Sequence, residues 1–172
     1  MLGLVTGPQI SPRPPFDRVI GAVDGSEEAA EAAAQGWRLA PGCPLTLVQV
    51  IDPGDAPAVT GAGPEWLHRR REQAHSALES TRDRLLRLGV DSPMSTSVEE
   101  GDLRDAFHFV SSGPDRKLLT MGSGEEAELS QPPPLPPPTV DRMSRRILEA
   151  ASCSVLVARP GGSLRSFPAS IT

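Results

Sequence analysis

The chain contains no tyrosine and few other aromatics, 2 Trp and 4 Phe in 172 residues. That excludes a core built on stacked rings and leaves its buried layers to Val, Leu, Ile and Ala, a set suited to helices packed on a sheet. Cysteine is nearly absent. Cys43 and Cys153 stand far apart, without metal or redox spacing, which excludes a zinc ribbon and a thioredoxin-type motif and leaves both as ordinary small buried residues. Positive charge is in deficit, with 17 Lys and Arg against 22 Asp and Glu and a net charge of −5. A nucleic-acid duplex needs clustered cations against its phosphates. The one dense cluster, Arg69 Arg70 Arg71, reads as a solvated helix face. No run is long and apolar enough to span a bilayer, and Met1 to Pro15 has no basic segment ahead of an apolar core of signal-peptide length. The expectation is a cytosolic protein with neither nucleic acid nor membrane among its partners.

What is present reads as one domain between two tails. Residues 1–15 are rich in Pro, Gly and Ser without periodicity, and residues 161–172 form the other tail. Between them, apolar runs at Arg18 to Val23, Leu45 to Ile51, Met94 to Glu99, Lys117 to Met121 and Ser154 to Ala158 predict five strands. The third alternates apolar with polar residues and reads as an edge. Four helices are predicted between the strands: Glu27 to Ala40 with Ser26 as N-cap, Pro64 to Leu88 with apolar residues at helical spacing, a third from the N-cap Asp102, and a fourth over about Val140 to Ala151. Strands alternating with helices through right-handed crossovers give an α/β fold, a five-stranded parallel sheet with helices on both faces. In the order 3-2-1-4-5 the ligand crevice lies at the carboxyl ends of strands one and four. The same order separates the two cysteines by roughly 14 Å, three strand spacings, too far for a disulfide.

Five segments carry a family resemblance. Val23 Asp24 Gly25 Ser26, Val48 to Asp52, Val98 to Asp102, Leu119 to Ser123 and Ala151 to Arg159 together resemble the universal stress protein family over Phe16 to Pro160. The resemblance implies a Rossmann-like fold and an ATP or AMP cofactor, held in ATP-binding members by Gly, two residues, Gly, nine residues and Gly-Ser. Gly122 fits the first position, Glu125 stands at the second beside Gly124, and Asp141 Arg142 replace the Gly-Ser pair. The intervening loop is longer and proline-rich over residues 131–138. Prolines offer no N–H to a phosphate, and Asp141 puts a carboxylate where the helix dipole should receive the ligand. Thr139 and Arg142 supply a hydroxyl and a cation in partial compensation.

By the same resemblance Asp24, Val50, Met121 and Gly122 face the adenine and ribose. Read from the residues alone, Asp24 helps cap the first helix while Val50 and Met121 belong to the core. The expected function is a non-catalytic regulatory or protective module in stress response with weak or no ATP binding. The alternative is a nucleotide switch in which Gly122, Gly124, Thr139 and Arg142 rebuild the cradle.

Other patterns are weaker. His68, Glu72 and His75 share one helix face, with nothing to complete a metal shell, and read as a solvated surface. His108 reads as a helix-surface residue, and no nucleophile and base stand in a recognisable arrangement. The run Pro132 to Pro138 favours polyproline II, which serves either as a spacer or as a docking motif for a protein partner. Strand Ser154 to Ala158 is an apolar edge, and the family commonly dimerises there, so a homodimer through this strand is expected.

Overall fold

A computed structural model describes residues 15–58, 61, 63–123 and 142–158. Chain order is β1 (Arg18–Ala22), α1 (Glu27–Leu39), β2 (Leu45–Ile51), a 3-10 turn (Pro53–Asp55), α2 (Pro64–Arg87), β3 (Met94–Glu100), α3 (Leu103–Ser111), β4 (Lys117–Gly122), α4 (Arg142–Ala150) and β5 (Ser154–Ala158). All strands are parallel, in the order β3-β2-β1-β4-β5. The predicted topology and all five strands are therefore observed. The tails and the proline-rich segment, residues 131–138, fall outside the described residues, Pro15 excepted.

Alternation along the strands divides the core into two layers. Val19, Leu45 and Leu47 face α1 and α2, where Ala33, Ala34, Leu78 and Leu85 meet them. Ile20, Val48, Leu119 and Met121 point the other way, toward Leu103 and Phe107 of α3 and Ile147 of α4. The alanines of α1 let that helix lie close to the sheet. Closest is Gly36, where an added Cβ would stand 2.2 Å from Cγ2 of Thr120 on β4. This contact explains a glycine inside a helix, a position that otherwise costs about 1 kcal/mol relative to alanine.

Element ends follow their capping chemistry. Ser26 Oγ accepts from Ala29 N at 3.1 Å to start α1, and Asp102 Oδ1 accepts from Arg104 N at 2.8 Å to start α3. Several boundaries differ from expectation. The first helix ends at Leu39 with Ala40 as C-cap, α2 ends at Arg87 with Leu88 as C-cap, and α4 is observed over Arg142–Ala150. On α2 the buried stripe is confined to Ala74, Leu78, Thr81 and Leu85. Leu88 is exposed because it is already the C-cap. Cys43 is buried and its thiol donates to Phe16 O at 3.0 Å. Cys153 corrects the expectation of a buried residue: it is half-buried at the entrance to β5, and burial pushes its thiol pKa up. Both thiols are free.

Candidate functional site

At the carboxyl end of β1 the chain turns through Asp24 and Gly25 into α1. Asp24 is exposed, and its Oδ1 accepts from Ser26 N at 2.8 Å, so the carboxylate steadies the turn that presents the helix N-cap. Across the switch point, Met121 is 2 % exposed within the layer under α3 and α4, and Val50 is half-buried against the same layer. Met121 therefore lies in the core, while Val50 is only partly covered beside it. Gly122 ends β4 against the first turn of α1, where an added Cβ would lie 3.2 Å from Cβ of Glu28. Its carbonyl accepts from Ser144 Oγ at 3.2 Å, which ties β4 to α4. Next along, Ser123 N donates to Ala158 O at 2.9 Å, while its Oγ is buried without a hydrogen-bond partner among the described residues. Arg142 opens α4. Gly124, Thr139 and Asp141 lie outside the described residues, as does the side chain of Arg142.

Beside this switch point an open cleft of about 830 Å³ lies between the end of β2, the start of α3 and one flank of α4. None of Asp24, Val50, Met121 and Gly122 lines it. At its base sits a three-membered ion cluster. Arg146 Nη2 donates to Asp52 Oδ2 at 3.0 Å and to Asp102 Oδ2 at 3.2 Å. Asp52 also accepts from Gly54 N at 2.8 Å and Leu103 N at 3.4 Å. Burial pushes the Asp52 carboxyl up, but the Gly54 N–H, the Arg146 guanidinium and the Leu103 N–H outweigh it, and its pKa is held below the ordinary value. On the wall, Arg104 Nη2 pairs with Glu149 Oε2 at 2.5 Å. Asp55 and Arg145 complete the charged lining, so four carboxylates face three guanidinium groups.

These cleft residues were not singled out from the sequence beyond Asp102 as an N-cap and Asp52 as the end of a strand. Arg146 and Asp52 are 94 positions apart, and only the sheet order brings them together. The one available signal was that both acids end or begin elements at the carboxyl edge of a parallel sheet, where ligands gather.

A family model described as the universal stress protein family matches residues 15–159. The chain belongs to the universal stress protein family. Among curated proteins nothing matches the chain. Solved structures do: the universal stress protein UspA from Lactobacillus plantarum is 19 % identical with a TM-score of 0.63, covering 84 % of this chain and 98 % of that one. A universal stress family protein from Burkholderia pseudomallei is 21 % identical with a TM-score of 0.51, covering 85 % and 98 %. A universal stress protein solved in complex with cAMP is 12 % identical with a TM-score of 0.52, covering 84 % and 97 %. At these identities the likeness speaks to the fold, which agrees with the family's Rossmann-like sheet.

The histidines and the arginine triplet singled out from the sequence have neighbours of their own. His68 Nε2 lies 3.5 Å from Glu72 Oε1 on the exposed face of α2, and no metal-holding cluster occurs among the described residues. His108 is on the α3 surface with Nδ1 3.1 Å from Ser152 Oγ. Within the arginine triplet, Arg71 pairs with Glu100 at 2.5 Å and Arg70 lies over the Trp66 ring at 5.8 Å. Among the described residues no helix is long and apolar enough to cross a membrane.

Proposed function

We propose that this universal stress protein is a non-catalytic regulatory or protective module of the stress response, working in the cytosol and binding ATP weakly or not at all. One observation carries this: Arg146, the least exposed cation of the cleft, is already shared between Asp52 and Asp102. A triphosphate extending from the switch point into this neighbouring cleft would meet a lining richer in carboxylates than in guanidinium groups, and like charges oppose its entry. Gly122 and Met121 are engaged in packing, which reduces what they offer a nucleotide. The non-catalytic character is supported by the Asp52 carboxylate, which is tied to the Gly54 N–H, the Leu103 N–H and the Arg146 guanidinium and so is engaged in holding the elements together.

A nucleotide switch for ATP or AMP is the second reading. It is favoured by the buried Ser123 Oγ beside Gly122, which has no hydrogen-bond partner among the described residues, and by the similar protein solved with cAMP. Gly124, Thr139 and Arg142 would then complete the cradle, with Asp24 and Val50 on the nucleoside side.

Thermal melting in parallel with Mg-ATP, AMP and adenosine separates the two. A ligand present at a hundred times its Kd stabilises the fold by about 2.7 kcal/mol, or roughly 5–10 °C for a chain of this size. The module predicts no shift with Mg-ATP, and a shift of that size selects the switch.

A further inference from the structure

On one side the sheet ends at β3, and among the described residues no strand pairs with its outer edge. Two hydrogen bonds at the ends of the ladder to β2 fix which backbone groups that edge presents. Leu45 N donates to Pro93 O at 3.0 Å, and Gly101 N donates to Ile51 O at 3.1 Å. A parallel ladder takes every second residue of a strand, so the odd-numbered residues of β3 bond to β2. Met94, Thr96, Val98 and Glu100 turn their N–H and C=O outward, and no described group bonds to any of them.

An exposed edge is ordinarily blunted by a lysine, a proline or a bulge. None of these interrupts β3: its 7 residues, Met94 to Glu100, run in unbroken register with β2, and Pro93 stands just outside. The edge is roughly 20 Å long. Its side chains are sorted by face. Met94 and Val98 lie against the α1 and α2 layer and are only partly buried there. On the other face Ser95 is exposed and Ser97 and Glu99 are half-buried. Glu99 accepts from Ser97 Oγ at 2.5 Å and has no cation against it among the described residues, whereas Glu100 is already paired with Arg71.

We propose that the outer edge of β3 docks an extended strand of a partner protein. The strand is added antiparallel, the more stable pairing per residue, with a basic side chain opposite Glu99, hydroxyl side chains opposite Ser95 and Ser97, and apolar ones opposite Met94 and Val98. Main-chain bonds to the outward groups supply affinity, and the alternating side chains select the partner. A second copy of this chain fits less well: β3 contains no basic residue, so pairing it with itself in any register brings Glu99 no cation. Docking at this edge does not depend on whether a nucleotide binds.

The probe is the capped heptapeptide Thr-Lys-Val-Thr-Thr-Thr-Val, titrated to millimolar concentration into the full-length, uniformly 15N-labelled protein. Its first residue lies opposite Glu100 and its last opposite Met94. Saturable amide shifts are expected along β3, with hydrogen exchange slowed at Met94, Thr96, Val98 and Glu100 and unchanged at Ser95, Ser97 and Glu99, whose N–H groups already bond to β2. N-methylating the first valine removes the donor to Val98 O and should weaken binding about tenfold. N-methylating the threonine after it, whose N–H points away from β3, should leave binding unchanged. Replacing the peptide's lysine by glutamine, or Glu99→Gln in the protein, should weaken binding about threefold. Thr96→Pro deletes an outward N–H at an exposed position where an edge strand tolerates proline, and should weaken binding about tenfold. The proposal is overturned by absent shifts, by slowed exchange without the alternation, by equal binding of the two methylated peptides, by indifference to the lysine, Glu99 or Thr96 replacement, or by shifts at Ser154–Ala158 in place of β3. Slowed exchange that follows protein concentration without peptide overturns it as well, since a second copy then covers the edge.

Discussion

Replacing Arg146 by Met removes the cation that pairs with Asp52 while keeping an unbranched apolar stem on α4. The Asp52 side chain is only 10 % exposed, against 29 % for Arg146 and 51 % for Asp102, so the two arms of the cluster are unequal. The Asp52 arm is a charge-assisted hydrogen bond to a nearly buried carboxylate, worth about 1.5–3 kcal/mol. The Asp102 arm is half in solvent and adds at most about 1 kcal/mol. A loss of about 2–3 kcal/mol is expected at neutral pH, read from urea unfolding midpoints at unchanged slope. Because the folded pKa of Asp52 is lowered, its stabilisation is fully present above the unfolded value of 3.8 and is lost as pH falls through the lower folded value. The difference between parent and variant should therefore shrink at pH 3. A loss below about 0.5 kcal/mol, the range of ordinary surface changes, or a loss unchanged between pH 7 and pH 3, would refute the reasoning.

Gly36→Ala should destabilise by up to about 2 kcal/mol, because overpacking against Thr120 costs about 1–3 kcal/mol and is offset by a helix-propensity gain of about 1 kcal/mol. Thr120→Ser removes the opposing Cγ2 and should restore most of that loss in a double-mutant cycle by thermal melting. Ser26→Ala deletes the α1 N-cap and should cost about 1 kcal/mol, checked by urea unfolding. Val155, Leu156 and Val157 are half-buried on β5, an edge strand of the sheet among the described residues, and light scattering at micromolar concentration should return twice the mass of one chain. Leu156→Lys should return a single-chain mass; a monomeric parent would count against the dimer.

Local chemistry made the fold legible. Ser26 and Asp102 announce helix starts through their side-chain oxygens, and the polar alternation of β3 marks it as an edge, which the strand order bears out. These signals act between residues a few positions apart. The site depends on longer reach. Asp52, Asp102 and Arg146 each look like surface charges in the sequence and become a cluster only when β2, α3 and α4 converge. Met121 suits a crevice or a core equally well by composition, and the layer under α3 and α4 decides for the core. Gly36 likewise looks like a helix defect until Thr120 is placed against it. The half-buried position of Cys153 follows from its place at the entrance to the edge strand β5.

Calorimetric titration of the unmodified protein with Mg-ATP tests the central claim most directly. If the cleft's cations are neutralised from within, the titration shows no saturable heat up to millimolar nucleotide. A one-site isotherm with a Kd in the micromolar range, about −8 kcal/mol, would contradict the account and make this family member a nucleotide switch.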